Sequence, residues 1–261
     1  MTDANGMNGG AGLRIAIVGA SGGIGSALAM LARGKGHRVA VLSRNAARVQ
    51  EVASQCEAAS IVLESGDFSG IERGIGAAAE AMGGIDAAVC CAGTFLLKPA
   101  HLTSEAELRG ILDSQVVSAF ATVRAAARLM MDGGNGGGIT LVSSAAARIG
   151  LVNHEAISVA KGAIDGLVLS AAATYSRYRV RVNAVAPGLV ATPMTARITG
   201  NAAALEASQA MHPLGRIGAP DDIAQAILFS ISTEASWMTG QIIAVDGGLS
   251  AVKVPAAAKK A

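Results

Sequence analysis

What most restricts this chain is a regular alternation. Runs rich in β-branched apolar residues recur at LRIAIVG (13–19), HRVAVLS (37–43), SIVLES (60–65), IDAAVCCAG (85–93), GITLVSS (138–144), VRVNAVA (180–186) and QIIAVDGG (241–248), and helical patterns fill most of the spaces between them. Strands that alternate with helices predict a parallel sheet, because each helical crossover returns the chain to the end of the sheet where the previous strand began. Near-continuous apolar strands predict burial on both faces. The expected architecture is a doubly wound α/β sheet of about seven strands with helices on both sides.

The chain has 261 residues, 51% of them apolar and 15% charged, enough to bury a substantial core in a single domain. No internal repeat or second composition regime appears, so residues 12–250 are expected to be the domain, with a flexible Gly/Asn-rich leader (1–11) and a flexible tail (251–261) ending in KVPAAAKKA. DGGNGGG (132–138) precedes a strand instead of opening a helix, which predicts a flexible loop and not a phosphate cradle. The net charge is +2 with both signs scattered, so the basic stripe that nucleic acid needs is missing. The leader lacks an apolar targeting region, and no apolar run reaches the roughly 18 residues of a membrane span. The expectation is a cytoplasmic protein with no membrane partner. Cys56, Cys90 and Cys91 contain no C-x-x-C spacing, and adjacent Cys90 and Cys91 should point to opposite faces of a strand. This predicts no metal site and no disulfide, with Cys90 and Cys91 serving as small core residues.

The first strand runs into GASGGIGSALAMLARGKG, placing Gly19, Gly23 and Gly25 at the turn into a helix. Glycines there let the backbone approach a pyrophosphate, and a helix N-terminus offers free N–H groups and a positive dipole end. The position after strand one of an alternating chain makes this a Rossmann-type dinucleotide site and not merely a tight turn. Arg44 closes the second strand, where such folds read the adenosine ribose. No Asp or Glu occupies Ser43, Arg44 or Asn45 to bond the 2′-hydroxyl of NAD. Arg44 is then either a charge-assisted clamp for the 2′-phosphate of NADP or a solvated surface residue; the first favours NADP over NAD.

Several stretches together resemble the short-chain dehydrogenase/reductase family. VGASGGIG (18–25) is similar to its TGxxxGxG turn, CCAG (90–93) stands where the family has NNAG, and APGLVATPM (186–194) is similar to its PG loop. PLGRIGAPDDIAQAILF (213–229) and MTGQIIAVDGG (238–248) are similar to its late helix and last strand. The resemblance implies that Gly19, Ser21, Gly23 and Ile24 surround the pyrophosphate, and that Asp67 bonds the adenine unless it is only a turn-former. It also implies that Ala92 and Gly93 pass beside the adenosine half, with Pro187, Gly188, Val190 and Thr192 bordering the nicotinamide half.

The family's chemistry uses Asn, Ser, Tyr and Lys, the last two spaced Y-x-x-x-K. Matching by that spacing places Lys161 at the lysine, where it also holds the nicotinamide ribose, Ser144 at the serine and Gln115 at the asparagine. The tyrosine position is Ile157, which can do no proton work. A missing general acid typically costs about 10² to 10⁴ in rate and leaves positioning intact. His154, three residues earlier, is either a substitute acid on the same helix face or an exposed first-turn residue behind an Asn153 cap. Apolar neighbours Val159, Ala160, Ala163 and Ile164 predict that Lys161 is partly buried.

The resemblance therefore implies an NADP-dependent oxidoreductase acting by hydride transfer on a small C=O, C=N or activated C=C bond, with an altered proton donor. An iminium needs no proton at the hydride step and an enone can take one from water, so either suits isoleucine better than a plain ketone. The alternative is an inactive NADP-binding sensor or supporting subunit. The segment about 190–218 should border the substrate, with Met194, Ile198, Leu205 and Met211 as apolar lining and Arg197 and His212 as polar anchors. Small residues in AFATVRAAARLMM (119–131) and AKGAIDGLVLSAAATY (160–175) imply, by the same resemblance, a homo-dimer or homo-tetramer interface; packing within the subunit explains them as well.

Overall fold

The computed structural model describes residues 12–63 and 67–253. The leader at 1–11, the end of the third apolar run at 64–65 and the tail from 254 lie outside the described residues, so the expected flexibility of the termini is not addressed there. Strands and helices alternate from the start: β1 Arg14–Val18, α1 Gly23–Gly34, β2 Arg38–Ser43, α2 Ala46–Cys56, β3 Ala59–Val62, α3 Phe68–Met82 and β4 Ala87–Cys90. Then come α4 Glu105–Leu112, a π-helical turn Asp113–Val117, α5 Ser118–Asp132, β5 Gly137–Val142, α6 Glu155–Tyr175 and β6 Val180–Pro187. A short α7 Ala196–Thr199, α8 Ala202–Met211, α9 Pro220–Ile231 and β7 Ile242–Val245 complete the order.

The described strands form one parallel sheet in the order β3-β2-β1-β4-β5-β6-β7. The chain winds outward from β1 through β3, then returns beside β1 at β4 and winds the other way, so the order reverses between β1 and β4. In such sheets the carboxyl ends of the strands beside a reversal leave a crevice, because the flanking connections leave on opposite faces.

Alternation within β1 divides the core. Ala16 and Val18 pack with Ile71 and Ile75 of α3, Met130 of α5 and Ile164 and Val168 of α6 on one face. Ile15 and Ile17 pack with Leu28 of α1, Val49 of α2 and Ile223 and Ile227 of α9 on the other. Cys90 joins the first layer and Cys91 flanks the second, as expected for adjacent residues of a strand. Each fully buried Ile or Leu contributes about 1.5–3 kcal/mol, so the two layers supply most of the driving force.

The glycine run at 132–138 is a loop only in part: Asp132 ends α5 and Gly137 opens β5, Gly134, Gly136 and Gly137 have positive φ, and a Cβ on Gly137 would lie 2.7 Å from the Asp86 carbonyl oxygen. The expectation of no apolar run of about 18 residues stands, since Lys161 and Asp165 interrupt α6. The helix continued to Tyr178 (24 residues) nevertheless contains an 18-residue window of mean hydropathy 1.4, and so passes by length and composition alone as long and apolar enough to cross a membrane. Here its Ile164–Val168–Ala172 stripe packs against the sheet.

Candidate active site

A cleft of about 1590 Å³ opens over the carboxyl ends of the central strands, bordered by Val18 of β1, Cys91 beyond β4, Val142 of β5 and Pro187 of β6. Its floor at one end is the glycine turn. Gly19 has φ +82°, and a Cβ there would come within 2.5 Å of the Ala92 backbone nitrogen. A Cβ on Gly23 would lie 2.8 Å from Thr192 Cγ2, and one on Gly25 would lie 2.7 Å from the Gly19 carbonyl oxygen. At Gly19 and Gly25 the clash is with backbone and requires glycine, whereas at Gly23 it is with the Thr192 side chain, which can move. The N-cap of α1 is Gly22, which has no side chain to occupy the first-turn N–H groups, so that helix end stays available to an anion.

Ser21 Oγ and Ser43 Oγ lie 2.7 Å apart and tie the glycine turn to the end of β2. Arg44 follows, exposed on the rim, and Arg48 borders the same cleft one helical turn later. Sequence reasoning missed Arg48, although its i+4 spacing from Arg44 was a readable signal. Asp67 is the N-cap of α3, accepting a 2.8 Å hydrogen bond from the Gly70 N–H, and it also borders the cleft. Its two sequence readings are therefore compatible.

At the other end Lys161 is only 9% exposed, and its Nζ donates to the Val142 carbonyl oxygen at 2.7 Å. Burial pushes its pKa down to about 8; the nearby Cys90, Cys91 and Asp165 oppose this only in part. Burial also raises both thiols, so neither is a thiolate partner at neutral pH. Asp165, one turn beyond, accepts from Ser143 Oγ at 2.5 Å, and burial raises its pKa as well. The expected burial of Lys161 holds, with Ala160 and Ile164 buried beside it as expected; Val159 and Ala163 are exposed, and the Val142 carbonyl at the end of β5 supplies the remaining cover.

Ser144 leaves β5 in extended conformation, its Oγ accepting from the Ala146 N–H at 3.1 Å. Ile157 is 4% exposed and borders the cleft one turn before Lys161. Gln115 sits in the π-helical turn, 2% exposed, with Nε2 donating to the Thr94 carbonyl oxygen at 2.8 Å. Its Oε1 is a buried side-chain oxygen with no hydrogen-bond partner among the described residues. His154 borders the cleft with Ile157, as expected of it, but from the end of the helix and not from within it. It stands at the N-cap of α6 without capping, its Nδ1 2.8 Å from the Val152 carbonyl oxygen and its ring edge-on to Phe95. Asn153 is not the cap either and takes a positive φ of 63°.

Beyond β6, Gly188 lies where a Cβ would meet His212 Nε2 at 2.6 Å. Val190 and Thr192 are fixed by Thr195, whose hydroxyl donates to the Val190 carbonyl oxygen and accepts from the Thr192 N–H. Met194, Ile198 and Met211 border the cleft, joined by Phe95 and Leu151, which sequence reasoning did not single out. The polar anchors are corrected. Arg197 is exposed and, like Leu205, is not among the described residues that border the cleft. His212 is 3% exposed and spends both ring nitrogens on backbone, Nδ1 donating to the Ser208 carbonyl oxygen at 2.6 Å and Nε2 accepting from the Leu189 N–H at 3.2 Å. It holds the loop.

A family model described as enoyl-(acyl carrier protein) reductase matches residues 19–250. The chain is 35% identical over 246 residues to cis-4-hydroxycyclohexanecarboxylate dehydrogenase of Sinomonas cyclohexanicum, covering 92% of this chain and 97% of that protein. The chain belongs to the short-chain dehydrogenase/reductase family. The family is one of oxidoreductases that use nicotinamide nucleotides. It is also 35% identical over 224 residues to inactive 2-(S)-hydroxypropyl-CoM dehydrogenase 2 of Xanthobacter autotrophicus, covering 83% of this chain and 96% of that protein. Among solved structures, a short-chain type dehydrogenase/reductase from Mycobacterium marinum superimposes with a TM-score of 0.86 at 30% identity, covering 93% of this chain and 97% of the other.

Proposed function

We propose that the chain is an NADP(H)-dependent oxidoreductase that acts on a small C=O, C=N or activated C=C compound, with Ile157 standing where the family carries its tyrosine. The observation that carries this reading is one continuous cleft bordered by the glycine turn and Arg44 at one end and by Ser144, Gln115 and Lys161 at the other. The residues fit a dinucleotide: the glycines stand where a Cβ would fill the cradle, and the helix end beside them is uncapped. The volume also exceeds the roughly 300–1,000 Å³ of ordinary small-molecule pockets, leaving room for a coenzyme and a substrate together.

When bound, the nicotinamide would supply or accept hydride. Gly19, Ser21, Gly23 and Ile24 would hold the pyrophosphate, Arg44 the 2′-phosphate and Asp67 the adenine, with Ala92 and Gly93 beside the adenosine. Pro187, Gly188, Val190 and Thr192 would border the nicotinamide, and Lys161 its ribose. Ser144 would hydrogen-bond the substrate oxygen, and Gln115 and His154 are the further polar groups within the cleft. We extend the reading to a single domain over residues 12–250, and to a cytoplasmic homo-dimer or homo-tetramer assembled through α5 and α6, whose Phe120, Val159 and Leu169 are exposed.

Calorimetry with NADPH and NADH, followed by NADPH consumption against ketones, imines and enones, tests the reading. NADPH should bind more tightly, and Arg44→Asp should weaken it roughly tenfold to a hundredfold, the value of a lost charge-assisted contact. Equal or tighter binding of NADH by the parent protein would refute the NADP assignment. The second reading, a non-catalytic NADP-binding protein, is favoured by the hydrocarbon at Ile157 together with a relative named as inactive. Substrate-dependent NADPH oxidation that requires Ser144 and Lys161 discards it.

A further inference from the structure

We propose that Lys161 is itself the proton donor of this site, passing a proton from Nζ, directly or across one water, to the oxygen of a carbonyl or enone substrate held by Ser144. This rests on the oxidoreductase reading above. Lys161 and Ser144 border the same cleft, and the carbonyl that holds Nζ belongs to Val142, two residues before Ser144. An ammonium has three N–H groups, and Val142 is the one acceptor that Nζ has among the described residues, so two remain, one for the coenzyme ribose and one for substrate or water. Ile157, one turn earlier on α6, places no acid between Nζ and the cleft.

The groups facing the lysine leave its proton releasable. From the end of β4 come Cys90 and Cys91, both neutral thiols; from α6 comes Asp165, whose carboxylate is engaged by Ser143. Asp113, His154, His212 and the rim residues Arg44, Arg48 and Asp67 border the cleft, but none of them forms a hydrogen bond or ion pair with Nζ. Burial then brings the ammonium near neutrality, with a pKa of about 8, where a general acid works well. The buried, unpartnered Oε1 of Gln115 offers the acceptor that would orient a water to reload the amine.

In carbonyl reduction the C=O π pair becomes the oxygen lone pair that takes the proton from Nζ. The new C–H bond uses the hydride lost by the reduced coenzyme, and the neutral amine recovers a proton from solvent. An enone differs only in receiving hydride at its β-carbon. A cationic iminium would face the lysine ammonium at close range, so the inference narrows the substrate class to oxygen electrophiles.

The test pairs a direct titration with a rate profile. In ¹⁵N-lysine-labelled protein, the Nζ resonance missing from Lys161→Arg should titrate near pH 8 without coenzyme present. The kcat/KM for carbonyl or enone reduction should fall tenfold per pH unit above that point. Lys161→Arg, whose guanidinium can still donate to the coenzyme ribose but does not release its proton, should lose at least 100-fold in kcat when assayed at NADPH concentrations that saturate the variant. Lys161→Ala should be rescued by added primary amines in proportion to their acidity, which a purely structural lysine would not allow. A Nζ that titrates above pH 10, an alkaline limb that survives Lys161→Arg or disappears with His154→Gln, or no amine rescue overturns the inference while leaving the oxidoreductase reading intact. A protein that binds NADPH but reduces nothing overturns both, and one that binds no coenzyme overturns the function at its base.

Discussion

Replacing Lys161 by methionine should make the protein more stable at neutral pH and less stable, relative to the parent, at alkaline pH. Burial lowers the lysine from its ordinary 10.5 to about 8 in the folded protein. That difference corresponds to about 3 kcal/mol against the charged form, since one pKa unit is about 1.4 kcal/mol. The sign follows from proton counting: between about 8 and 10.5 the unfolded chain carries the extra proton, so stability rises with pH across that window and the cost is fully felt below it. Methionine has similar length and no charge, but it strands the Val142 carbonyl oxygen that Nζ satisfied, which costs about 1 kcal/mol. The net gain at pH 7 is about 2 kcal/mol, or about 4–8 °C in Tm for a chain of this size. Urea unfolding of coenzyme-free protein, at one protomer concentration, should show this gain at pH 7 and its disappearance by about pH 10.5. A variant that is weaker than the parent at pH 7, or a difference that does not change with pH, would refute the argument that the site holds its acid at the expense of stability.

Gly23→Ala should fold normally yet lose at least tenfold in NADPH affinity by calorimetry, because its Cβ meets the movable Thr192 side chain at 2.8 Å and stands in the phosphate cradle. Gly19→Ala should instead lose more than about 2 kcal/mol in urea unfolding, since φ +82° is strained for alanine and the clash is with the Ala92 backbone at 2.5 Å. Asp86→Ala should cost about 1–3 kcal/mol at pH 7 by removing the bridge to Arg14, 2.6 Å long and less than a third exposed. Burial alone would raise the Asp86 carboxyl, but the hydrogen bonds from the Arg14 side chain and N–H outweigh it and hold the group below its ordinary 3.8. The bridge therefore stabilises fully above 3.8 and fades as pH falls through the lower folded value, so unfolding of parent and variant should converge in acid.

The glycine-turn end of the cleft was legible because its information is local. A strand, a turn of glycines and a helix are consecutive in the chain, so Gly19, Ser21, Gly23 and Ile24 meet one another without help from distant residues. The position of Arg44 on the rim was legible for a similar reason, since it stands immediately after a recognisable strand. The other end was legible only by its resemblance to a family spacing. Physical reasoning from neighbours was half right there: of the residues expected to bury Lys161, Ala160 and Ile164 are buried but Val159 and Ala163 face solvent, and the offered anchors Arg197 and His212 are respectively exposed and engaged by backbone. Helical phase within the four residues of α7 turns Arg197 outward, and His212 is engaged by backbone contributed from Leu189, 23 residues away. The orphaned Gln115 oxygen was invisible in advance, since it depends on a π-helical turn meeting the Thr94 carbonyl across the cleft.

Hydrophobic period, glycine placement and the order of elements are properties of short windows, and from them the residues alone determined a doubly wound sheet and the glycine turn after its first strand. Whether a lysine of α6 is solvated or enclosed is not such a property. That was decided by tertiary packing, when the ends of β4 and β5 closed over α6 and removed the water that would otherwise have kept Lys161 an ordinary cation.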